Sequence, residues 1–96
     1  MKKPTLTRTE VEVMIVFCEL YFALLSEEKG IGMDTLEYEE LIKDNVDEVT
    51  DVVFNFKRIY YPDKEIDLDD FTDFETEFFI SKFGAEKVMK IVDEIL

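Results

Sequence analysis

The chain has 96 residues, and 24 Asp and Glu against 11 Lys and Arg, with no His, give a formal net charge of −13. At this length one hydrophobic core is feasible and two are not, while a 47% hydrophobic content that includes nine Phe supplies that core and excludes a disordered chain. The charge repels the backbones of DNA and RNA and anionic lipid, and the lack of His removes every Ser-His and Cys-His pair and the commonest metal ligand.

Taken in chain order, apolar residues recur at spacings of three and four, so an all-α fold is expected. Thr7 followed three residues later by Glu10 has the spacing of a capping box, and Lys29-Gly30-Ile31-Gly32 reads as a stop, so the first helix should run from Thr7 to about residue 28. Within it, residues 13–25 carry only Glu19 as a charge. A helix apolar almost all round is either central or part of a subunit interface. The same run is too short and too interrupted to cross a bilayer. Met1-Lys2-Lys3 ahead of an apolar stretch imitates a signal peptide, but Glu10, Glu12 and Glu19 break it and no small-x-small site follows, so no leader is expected.

Asp34 with Glu37 suggests a second, short helix to about Lys43, with Leu36, Leu41 and Ile42 inward. Asn45 reads as the cap of a third helix whose inner face steps through Val46, Val49, Val53, Phe56 and Tyr60 before Pro62 ends it. A loop over residues 63–68 leads to a fourth helix over about 69–83, with Phe71, Phe74, Phe78, Phe79 and Phe83 inward; Glu75 falls inside that Phe stripe without explanation. After Gly84, a last helix presents Val88, Ile91, Val92 and Ile95. The expectation is one domain over 1–96, a compact bundle of four to five helices around the nearly all-apolar first one.

The charge is not evenly spread. Residues 1–33 balance to −1 and residues 81–96 to 0, whereas residues 34–80 carry four basic and sixteen acidic side chains, a balance of −12. Asp63, Glu65, Asp67, Asp69, Asp70, Asp73, Glu75 and Glu77 place eight acids in fifteen residues, opposed only by Lys64. Asp70, Asp73 and Glu77 share one helical face by their spacing, which should lie opposite Phe71, Phe74 and Phe78. Like charges one turn apart cost a helix roughly 0.2–0.5 kcal/mol per pair, and solubility needs a net charge of only about 2–8. Carboxylates at i and i+4 are about 6 Å apart along the axis, comparable to phosphate spacing along one strand. Such a face can occupy the Lys/Arg-lined groove of a nucleic-acid-binding protein.

Ile59-Tyr60-Tyr61-Pro62 resembles a segment of the colicin DNase immunity family, acidic four-helix inhibitors whose paired tyrosines contact the toxin nuclease. The resemblance covers four residues of 96; the long third helix and the C-terminal third depart from the family. It implies a contact role for Tyr61, which with Phe54 lies off the inner stripe, while Tyr60 reads as core. Residues 63–71 resemble the second half of an EF-hand loop, but the first and third ligand positions would be Ile59 and Tyr61 and the turn glycine is Lys64. A degenerate scaffold without calcium is the most that pattern implies. Cys18 cannot form an internal disulfide and sits in the most apolar helix, as a core residue would in a reducing compartment.

The expected function is therefore that of a small cytoplasmic inhibitor, in a host-cell cytoplasm if phage-encoded, of the anti-CRISPR, anti-restriction or nuclease-immunity kind. It would bind a basic nucleic-acid-binding protein such as a nuclease or CRISPR effector through Asp63, Glu65, Asp67, Asp69, Asp70, Asp73, Glu77, Tyr61 and Phe54, with Asp47, Glu48 and Asp51 as an extension. No catalytic residue, metal or cofactor, direct nucleic-acid binding or membrane association is expected. The alternative is a helical adaptor or structural subunit in which the first helix forms a homodimer or partner interface.

Overall fold

Thr7 and Glu10 open the first helix as their spacing predicts. In a computed structural model that describes residues 5–95, with the side chain of Ile95 outside the description, Thr7 Oγ1 accepts the Glu10 backbone N–H at 3.2 Å and the Thr7 N–H donates to Glu10 Oε1 at 2.9 Å. Helix α1 runs Arg8–Lys29. Gly30, at φ 70°, turns the chain so that the Ile31 N–H reaches the Ser26 carbonyl at 2.9 Å, which satisfies a carbonyl the helix end would leave bare.

The second helix differs from expectation at both its start and its length. Thr35, not Asp34, caps it, accepting the Tyr38 N–H at 3.3 Å while donating to the Gly32 carbonyl at 2.7 Å. From there α2 runs unbroken over Leu36–Tyr60, so the two expected helices around Asn45 are one. Asn45 lies mid-helix, and its amide donates to the Leu41 carbonyl at 2.8 Å. With no Gly or Pro between residues 36 and 60, nothing forces a break, and one cap-forming side chain does not outweigh continuous packing on α1. Helix α3 (Leu68–Phe83) is capped by Asp67, which accepts the Asp69 N–H at 2.8 Å. A single residue, Gly84 at φ 92°, joins it to α4 (Ala85–Ile95). Among the described residues the bundle therefore has four helices and no strand.

Helix α1 is the central element: it packs against α2, α3 and α4, and α3 also packs on α4. Its Phe17, fully buried, stacks on Phe79 at 5.1 Å between centroids and meets Phe71 edge-on at 5.7 Å. Val49 and Val53 of α2 are also fully buried, while Val88 and Ile91 bring α4 onto the same core and Lys90 of α4 pairs with Glu27 of α1 at 2.8 Å. Among the described residues α2 and α3 make no close backbone approach. Aromatic rings bridge them instead, Phe56 lying edge-on to Phe71 at 5.2 Å and 4.7 Å from Phe74. At about 1.5 Å per residue, α2 is long enough to set the longest dimension of the molecule, 40 Å. Leu36 at the start of α2 and Tyr60 at its end are 77% and 62% exposed, where an inward face was expected. Val46 is 37% exposed.

Candidate functional site

The open side of the bundle, between α2 and α3, carries the charge. One buried residue, Ile66, orients the connecting loop: it is 1% exposed and its N–H donates to Glu10 Oε2 at 2.8 Å. With Ile66 inward, Asp63, Glu65 and Asp67 are exposed, followed on α3 by Asp69, Asp70, Asp73 and Glu77, also exposed. Two of these acids have structural duties. Asp67 is the N-cap of α3, and Asp70 accepts a hydrogen bond from the Tyr61 hydroxyl.

The two tyrosines exchange the places the sequence suggested. Tyr60 is 62% exposed with its ring beside Phe56 at 5.2 Å, whereas Tyr61 turns back against Phe56 at 5.5 Å and is 9% exposed. Tyr61 therefore offers little contact surface. Its hydroxyl is pushed up to about 12, chiefly by the hydrogen bond to Asp70, with desolvation and the Asp70 and Asp67 charges adding to it. Phe54 is half-buried on α2. It stands two residues, about 200° of helix, from Phe56, and so faces away from the α2–α3 side.

Between α2 and α3 lies a hollow of about 430 Å³ walled by Phe56, Tyr60, Tyr61 and Phe74 and rimmed by Asp73, Glu77 and Lys64. Phe74 was expected opposite the acids; it lies beside them, about 100° from Asp73 on α3, because the half-buried edge of the Phe stripe adjoins the acidic face. The Lys64 ammonium sits over the Tyr61 ring, 5.3 Å from its centroid. A neighbouring hollow continues along α3 past Phe74, Glu77, Phe78, Ser81 and Lys82. Glu48 of α2 lines a different hollow, together with Lys29 and Lys82, while Asp47 and Asp51 are exposed on α2. Tyr60, Phe56 and Phe74 were not singled out as site residues. Their adjacency follows from antiparallel placement of α2 and α3, which no local spacing displays.

Two further acids are buried, wholly or in part, in ways the sequence did not show. Glu10 is fully buried and its Oε2 accepts from Lys57 Nζ at 2.8 Å as well as from Ile66. Burial works to raise its pKa, but the hydrogen bonds from Lys57, Thr7 and Ile66 together with the Lys57 charge prevail and hold it below the ordinary carboxylate value. Lys57, 6% exposed, also donates to the Lys64 carbonyl. Glu75 leaves the acidic face altogether and lies half-buried in a groove of about 250 Å³ between α1 and α3, among Val13, Val16, Leu68 and Phe71. Burial there pushes its carboxyl up to about 7, and among the described residues no cation pairs with it. Cys18 is half-buried against the core, and burial raises its thiol above its ordinary value.

Among the described residues no three potential ligands converge on a metal position, and no helix is long and apolar enough to cross a membrane. Comparison with known family models, with characterised proteins and with solved structures finds no match, so the functional reading rests on the residues themselves.

Proposed function

We propose that this protein binds and blocks a basic, nucleic-acid-processing protein, presenting the 63–67 loop and the outer face of α3 in place of a phosphate backbone. The observation that carries the reading is that Asp63, Glu65, Asp67, Asp69, Asp70, Asp73 and Glu77 are all solvent-exposed on one continuous stretch of chain with Lys64 as the sole opposing charge in it. A rigid acidic face accelerates encounter with a cationic groove and makes the complex salt-sensitive. The half-exposed aromatic rings beside it supply the apolar contact that electrostatics alone lacks.

The test is capture of purified basic nucleases and RNA-guided effectors by the wild-type protein and by the triple variant Asp69→Lys, Asp73→Lys, Glu77→Lys. Asp70 is spared because it holds Tyr61, and Asp67 because it caps α3. Capture and inhibition by the wild type, lost in the folded variant and weakened as salt rises, support the reading. A partner held equally by both proteins overturns it. A second reading, a helical adaptor, draws on Ile15 (51% exposed), Val16 (50%) and Leu68 (54%), apolar side chains on α1 and the start of α3. It expects charge reversal to be silent and Val16→Ser with Leu68→Ser to break the complex.

A further inference from the structure

The hollow between α2 and α3 combines two chemistries. Its walls are ring faces and edges, with Tyr60 largely exposed and Phe74 half-buried, and its rim holds two carboxylates one helical turn apart, Asp73 and Glu77. Aromatic faces attract cations through their quadrupole, and carboxylates at the same mouth add directional acceptors. The molecule's own Lys64 ammonium already lies over one of those rings, at 5.3 Å from the Tyr61 centroid. A tethered cation thus lies at the edge of the hollow.

Resting on the reading above that this side meets a basic protein, we infer that the hollow receives an arginine side chain of the partner, which displaces Lys64 and anchors the complex. Arginine fits better than lysine. Its planar guanidinium stacks on Tyr60 while its N–H groups reach Asp73 and Glu77, and its weaker hydration lowers the cost of entering an aromatic site. At about 430 Å³ the hollow accommodates one long side chain with its aliphatic stem along Phe74.

Three variants isolate this inference, with a blocked Gly-Arg-Gly-Arg-Gly peptide as probe, its citrulline counterpart as the uncharged control, and amide chemical shifts as the readout. The expected result is saturable shifts centred on Tyr60, Lys64, Asp73 and Phe74, absent with citrulline. Lys64→Ala should tighten binding about threefold by removing the resident competitor. Lys43→Ala, which changes net charge equally on exposed α2 surface, should leave it within about 1.5-fold. Tyr60→Ala, at an exposed position, should weaken it at least fivefold. Shifts spread evenly over residues 63–77, or equal gains from Lys64→Ala and Lys43→Ala, would show a diffuse acidic field and overturn the inference. The two readings fail separately: if a basic partner is captured by Tyr60→Ala as well as by the wild type but not by the triple lysine variant, the acidic face stands and the arginine socket falls.

Discussion

Glu10 accepts hydrogen bonds from Thr7, Lys57 and Ile66 and is fully buried, so one carboxylate ties the start of α1 to the end of α2 and to the loop that orients the acidic face. Removing one member of such a pair leaves the other charge buried and alone, at a cost of about 3–5 kcal/mol. Glu10→Ala and Lys57→Ala should each lower stability by about that much in urea denaturation, with the double variant well short of the sum of the two. Glu75 behaves in the opposite sense. Its carboxyl titrates near 7 in the folded protein and near the ordinary value when unfolded, so between those two values the native state holds a proton the unfolded chain has lost, and stability falls as pH rises. Glu75→Gln should match the wild type near pH 4 and exceed it at pH 8 by about 1–2 kcal/mol, after allowance for partial solvent screening. Melting curves at the two pH values check this; equal offsets at both would refute it. The Thr7–Glu10 cap was legible in the sequence; the links of Glu10 to Lys57 and Ile66 and the burial of Glu75 were not. Glu10 and its partner Lys57 are 47 positions apart, and Glu75 looked anomalous only because its groove is formed by α1 as well as α3.

At the scale of elements, the start and stop of α1 and the Phe stripe of α3 could be read directly, because capping boxes, Gly30 and helical periodicity are local signals. The helix break at Asn45 could not. Asp, Asn and Thr permit a cap without requiring one, and the decision falls to the continuous contact of Leu41, Val49 and Val53 with the core. This difference is measurable. Were Asn45 an N-cap, Asn45→Ala would cost about 1 kcal/mol; at its mid-helix position, where its amide bonds back to Leu41, the same change should stabilise by about 0.5 kcal/mol. The α3–α4 joint gives a complementary case. A Cβ at Gly84 would touch nothing within 4 Å, so the φ of 92° alone makes alanine unfavourable. Gly84→Ala should cost about 1–2 kcal/mol with the unfolding slope unchanged. The exchange of Tyr60 and Tyr61 has an element-scale cause as well, since an apolar stripe read along α2 carries no information about how the chain turns at the helix end, where Tyr61, at φ −133° and ψ 50°, leaves helical geometry.

For the whole molecule, the net charge of −13 has opposite consequences for the fold and for a complex. Within the domain it is self-repulsion, concentrated in a body only 40 × 25 × 21 Å. At about 0.01 M salt the screening length, roughly 30 Å, exceeds the two shorter dimensions and most acids feel one another; at 0.1 M it is about 10 Å and only neighbours do. Melting temperature should therefore rise by several degrees between those salt concentrations, with most of the gain by 0.1 M. The buried Glu10–Lys57 pair, screened much less, should contribute little to the change. Against a cationic partner the same charges are attractive, so the same salt increase should slow association and weaken capture. The two measurements constrain each other. If capture declines over a range of salt in which the melting temperature climbs, loss of the folded state cannot be the reason, and the decline reports the contact between the acidic face and its partner. If the melting temperature instead falls with salt, the carboxylates are held in favourable pairs and the 63–77 segment is no longer a repulsive surface in need of a partner.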